Sequence, residues 1–109
     1  MPQTHANRNV GAYKKHEIEM ASPQKLILHL YDLAFQACTQ KNQDKAGAVL
    51  AELINALNFE VGGDVPMGLF RLYQYCLTQI HEGEFEIPSK IIKELRMTWQ
   101  EAMSQFKAA

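Results

Sequence analysis

The sequence has little of several things, and each shortage excludes a class of protein. There are only two cysteines, Cys38 and Cys76, far apart and without C-x-x-C spacing. This excludes a disulfide framework and a thiolate zinc ribbon. Charge of one sign is also missing, since eleven basic residues face twelve acidic ones for a net charge of −1. Binding nucleic acid needs a basic face, so nucleic acid is excluded as the main partner. No block of like charges forms a polyanion or membrane-surface tail. No N-terminal apolar run of the signal-peptide kind is present. The most apolar stretch, Leu26 to Phe35, is broken by His29 and Asp32 and is too short to span a bilayer. No stretch alternates with a strand's period of two, and no repeat or low-complexity tract is visible. The expectation is a cytoplasmic protein with reduced core cysteines.

What is present reads as helices. The length of 109 residues and the 47% apolar content suit one globular domain with a sizeable core. Residues 1–12 are polar and aperiodic, which predicts a flexible arm ahead of a single domain at 13–109. Ser22-Pro23 predicts a helix start, with serine at the N-cap and proline in the first turn. From Lys25 to Gln40 the polar residues fall on one stripe, and the remaining apolar arc covers roughly 220° of the wheel. Such an arc places the helix centrally in a bundle, or leaves a second apolar face for a partner. A second helix is expected from about Asp44 to Phe59. Gly62-Gly63 ends it, and Asp64 is expected to cap a third helix running to about Glu82. A loop at 82–88 precedes a last helix from about Ser89 to Lys107, with Ile92, Leu95, Trp99, Met103 and Phe106 on one seam. Short turns between long amphipathic helices imply antiparallel neighbours. The fold class is therefore all-α, an antiparallel four-helix bundle with a short N-terminal helical segment or arm at about Tyr13 to Met20.

A search for chemistry finds almost none. H-E-x-x-H, G-x-S-x-G, a glycine-rich phosphate loop and a Walker lysine are all missing. Glu17, Glu52, Glu60, Glu82 and Glu94 lack a histidine three residues on, which excludes the di-iron bundle pattern. His29 and Asp32 could be two metal ligands on one helical face, but no third or fourth ligand accompanies them. His29 also suggests a phosphotransfer bundle. Against this, the lysine and glycine such domains usually place after their histidine are replaced by Leu30, Tyr31, Asp32 and Leu33, and Asp32 would repel a phosphoryl group. No catalytic residue, cofactor or metal is expected. The candidate surface is the apolar flank Leu28, Tyr31 and Phe35, joined by Tyr75, which falls off the apolar arc of its helix. Tyr13, Ile18 and Met20 could form a removable cover for it, and such a groove suits an amphipathic helix.

Four segments, in order along residues 13–102, carry a resemblance. The first is Tyr13, then Ile18-Glu19-Met20 and Ala21-Ser22-Pro23-Gln24-Lys25-Leu26-Ile27-Leu28-His29-Leu30-Tyr31-Asp32. The second is Asn58-Phe59-Glu60-Val61-Gly62-Gly63-Asp64. The third is Leu69-Phe70-Arg71-Leu72-Tyr73-Gln74-Tyr75, and the fourth Leu95-Arg96-Met97-Thr98-Trp99-Gln100-Glu101-Ala102. Together they resemble the FliS family of bacterial flagellin export chaperones. Leu33 stands where that family usually has glycine, and both helical hairpins are shorter than usual, as in a divergent member. The resemblance implies a cytosolic four-helix bundle that binds the disordered C-terminal segment of flagellin. It would thereby block premature polymerisation and keep the subunit competent for the flagellar export apparatus. The alternatives are a His29 phosphotransfer bundle and a purely structural bundle that self-associates, for example as a homodimer.

Overall fold

The computed structural model describes residues 22–108, with side chains through Gln105. The expected arm at 1–12 and the helical segment at Tyr13 to Met20 lie outside the described residues. Four α-helices follow in order: α1 (Pro23–Thr39), α2 (Gln43–Asn55), α3 (Val65–His81) and α4 (Glu86–Ala108). Among the described residues there is no strand. Each helix packs on its two neighbours in a closed ring, with α1 between α2 and α4, and α3 and α4 the least closely packed pair. Cross-links give the directions. Gln24 and Asp32 of α1 meet Trp99 and Arg96 of α4, and Gln43 at the start of α2 meets the end of α3. Neighbours are thus antiparallel, and the architecture is a four-helix bundle.

Local chemistry explains most helix ends. Ser22 has an extended backbone, and its hydroxyl accepts the Lys25 N–H at 3.1 Å. At the end of α1, the N–H of Lys41 bonds Cys38 and that of Asn42 bonds Ala37, closing a Schellman turn with Lys41 at φ 54°. Asn42 then caps α2 by accepting the Lys45 N–H at 3.1 Å. One residue closing a helix and opening the next makes the connection this short. The same turn ends α3, with Gly83 at φ 80° in the place Lys41 takes.

Three boundaries differ from expectation. Helix α2 stops at Asn55 rather than Phe59, because the Asn58 side chain accepts the Glu60 N–H at 3.0 Å and draws the chain into a turn. Asp64 occupies the N-cap of α3 but makes no capping bond, since its own backbone is already helical (φ −85°, ψ −7°). Helix α4 starts at Glu86 rather than Ser89. Pro88 falls in its first turn, where its missing N–H would have had no helical partner.

The core is assembled at helical spacing from Tyr31, Ala34 and Cys38 of α1, Ala46, Val49, Leu50 and Leu53 of α2, and Tyr73, Cys76 and Ile80 of α3, with Ile92 of α4. Alanines at 34, 37 and 46, all fully buried, let α1 and α2 approach closely. Both cysteines are free and buried. The wide apolar arc of α1 is used on both sides: Ile27, Leu30, Leu33 and Phe35 are half-buried against the core, and Leu26 is left largely exposed.

Candidate functional site

Two surface depressions flank α4. The larger, about 650 Å³, lies between α3 and α4, where the bundle is least closely packed. Leu72 of α3 and Ile91, Leu95 and Met97 of α4 form its apolar floor, with Lys90, Lys93 and Glu94 on its rim. Met97 is 58% exposed. Tyr75, 45% exposed, stands one turn from Leu72 on α3. The smaller cleft, about 360 Å³, lies between α1 and α4. Leu28 and Met103 provide its apolar part, and Lys25, His29, Asp32 and Gln100 its polar part. Arg96 braces it by binding the Asp32 carboxylate and donating to Gln100 Oε1 at 2.8 Å. The Trp99 indole N–H donates to the Gln24 carbonyl at 2.9 Å, holding the first turn of α1 against α4.

The structure divides the sequence-predicted residues. Leu28 is half-buried at the α1–α4 cleft, whereas Tyr75 is exposed on α3 and lines neither depression, so the two are not brought together. Phe35 is half-buried against the core. Tyr31 is placed differently from the expectation of a groove wall. Its ring is 1% exposed, and its hydroxyl bonds that of Tyr73 across the bundle at 2.6 Å. A phenol on the inner edge of the arc finds a polar partner inside the bundle, so it has no need of the surface. Tyr13, Ile18 and Met20 lie outside the described residues. Sequence reasoning missed the groove floor: Leu72 and Leu95 sit on the apolar faces of their own helices and read there as core, and Ile91 was not singled out.

Among the described residues, the groups whose proton affinity is shifted are all in the core. Burial pushes the Tyr31 and Tyr73 phenols and the Cys38 thiol up, and pushes Cys76 up to about 12, with the nearby Cys38 adding to the effect. These groups stay neutral near pH 7 and face no depression. Among the described residues no three His, Cys, Asp or Glu side chains are placed to hold a metal ion. No described helix is long and apolar enough to cross a membrane. The arrangement offers apolar surface, and its chemistry is that of contact.

Comparison with known proteins agrees with the resemblance read from the four segments. The family model described as "Flagellar protein FliS" matches residues 39–106. The chain is 33% identical over 116 aligned residues to the "Flagellar secretion chaperone FliS" of Campylobacter jejuni subsp. jejuni serotype O:6 (strain 81116 / NCTC 11828), an alignment covering 87% of this chain and 91% of that protein. No solved structure matches the chain significantly. With the family model spanning most of the bundle and the relative aligned along nearly its whole length, the chain belongs to the FliS family of flagellar proteins.

Proposed function

We propose that this protein is a cytoplasmic flagellar export chaperone, a binding module without catalysis, whose client is the disordered C-terminal segment of flagellin. The observation that carries the reading is family membership together with a relative named as a flagellar secretion chaperone. The open groove between α3 and α4 supplies a physical surface for it. A disordered amphipathic segment gains nothing by folding unless its apolar side chains leave water. Leu72, Ile91, Leu95 and Met97 offer that, with Tyr75 beside them. On the other flank of α4, Leu28 at the α1–α4 cleft gives a second place for a long wrapped segment. Ordering the client costs several kcal/mol, which keeps a large interface reversible, as handing it to the export apparatus requires. Holding the segment blocks premature polymerisation.

The test is titration calorimetry of the full chain with the C-terminal segment of its own organism's flagellin at two temperatures. The expected result is binding with a large negative heat-capacity change. Met97→Glu, at an exposed position, should weaken binding at least about tenfold while leaving the melting temperature unchanged. The absence of both heat and a complex on gel filtration would refute the client assignment.

A further inference from the structure

The four seams of the bundle are not fastened alike. Between α1 and α2, the buried alanines at 34, 37 and 46 allow close approach, and Lys45 Nζ donates to Gln36 Oε1 at 3.4 Å. Between α2 and α3, Gln43 donates to the carbonyls of Ile80 and His81 at 2.8 and 2.9 Å. Phe59, in the connection between them, also meets Phe70 edge to face at 6.1 Å. Between α1 and α4, Arg96 binds Asp32 and Trp99 donates to the Gln24 carbonyl. Among the described residues no side-chain hydrogen bond or ion pair joins α3 to α4. That seam is held by apolar contact alone and is the least closely packed of the four.

The seam also tapers. Gly68, Leu72 and Cys76 stand one turn apart on the same side of α3. A Cβ at Gly68 would meet nothing within 4 Å, Leu72 is 38% exposed on the groove floor, and Cys76 is fully buried. Within two turns the helix thus passes from open space to closed core. The closed end is the one where α3 finishes at His81 and α4 begins at Glu86. Gln43 clamps that end, because it opens α2 and holds the last carbonyls of α3. Cys38, in the last turn of α1, belongs to the clamped end and is also buried. Sub-global opening follows the boundary with the least packing and the fewest bonds to break.

We propose that α3 and α4 part reversibly from their open end, while the other three seams stay closed. The clasps Arg96–Asp32 and Trp99–Gln24 hold α4 to α1 as it swings, and the connection at 82–85 is the pivot. Opening reaches Cys76 and leaves Cys38 covered. The motion does not depend on the chaperone reading. Where that reading holds, it gives a client's apolar side chains access to Cys76 and Ile92, behind the groove floor.

The two cysteines are the only ones in the chain, so they report on the two ends separately. The test is maleimide labelling of the full, reduced chain at neutral pH, with reagent dilute enough that each rate is proportional to it. Initial rates are read thiol by thiol by peptide mass spectrometry, and each is divided by the rate of the same thiol in strong urea. Cys76 is expected to react about tenfold or more faster than Cys38. Its rate should climb shallowly with added urea, as a small opening does, while that of Cys38 climbs steeply, as global unfolding does. Gln43→Ala removes bonds that the opening leaves intact. It should speed Cys38 about fivefold, through lower global stability, and leave Cys76 unchanged. Equal normalised rates with one common steep urea dependence would overturn the proposal, since the bundle would then open only as a whole. A faster Cys38 would overturn it too, by placing the opening at another seam. Should Gln43→Ala fail to fold, the wild-type comparison decides alone.

Discussion

The bond between Tyr31 and Tyr73 is the sharpest test of how this bundle is held in register. The two hydroxyls lie 2.6 Å apart, on rings 1% and 2% exposed, and join helices diagonal to each other across the core. No buried side-chain polar atom among the described residues lacks a partner, so each hydroxyl depends on the other. Tyr31→Phe therefore removes one oxygen and orphans the second. An unsatisfied buried hydroxyl costs about 1–3 kcal/mol, and we expect each single Tyr→Phe variant to lose about 1.5 kcal/mol. For a domain of this size that lowers the melting temperature by about 6–7 °C. The double variant leaves no orphan and substitutes rings of nearly the same shape, so it should lose less than about 1 kcal/mol. The double-mutant cycle then shows a coupling of about 2 kcal/mol, with the double variant more stable than either single one. Urea denaturation of all four proteins measures this. Additive losses would refute the reasoning, because they would mean that neither hydroxyl depends on the other.

Other expectations concern backbone and protons. Lys41 holds a left-handed conformation (φ 54°) where Gly83 serves in the matching turn, so Lys41→Gly should stabilise the fold by about 1 kcal/mol and Gly83→Ala should destabilise it by a similar amount, both read by urea denaturation. Cys76, Tyr31 and Tyr73 hold their protons in the folded state above their ordinary values of 9.0 and 10.0. The unfolded chain therefore binds fewer protons at high pH, and stability should be level below about pH 9 and fall above it. The limiting slope is about 1.4 kcal/mol per pH unit for each group; a stability flat to pH 11 by denaturant titration would contradict this. Cys38 and Cys76, both buried and held as thiols, should react with a disulfide reagent only as fast as the bundle opens, so labelling in native buffer should be slow and become rapid in denaturant.

Much of this protein was readable along the chain because its helices are governed by short-range rules. Ser22-Pro23, the polar stripe from Lys25 to Gln40, and the spacing of Tyr73, Cys76 and Ile80 each act within a turn or two, so a single sequence suffices to place them. The ends were less legible where local bonds compete. Asn58 stopped α2 early, and Pro88 let α4 start early.

The surface was the least legible part. Periodicity says which side of a helix is apolar, but it does not say whether a neighbour covers that side fully. Leu72 and Leu95 look like core residues in sequence and are partly open because α3 and α4 pack loosely. Tyr31 looks like a candidate for the surface and is buried because Tyr73, forty-two residues away, meets its hydroxyl. The pairing of Asp32 with Arg96 and the hold of Gln43 on the carbonyls of Ile80 and His81 likewise join residues remote in sequence. The sequence by itself determined the helices, their order, the bundle and the family resemblance, since those follow from periodicity, capping and ordered motifs. Only the tertiary structure decided which apolar residues remain open to a partner, because exposure depends on how closely two helices approach, and that distance is set by the packing of the whole bundle.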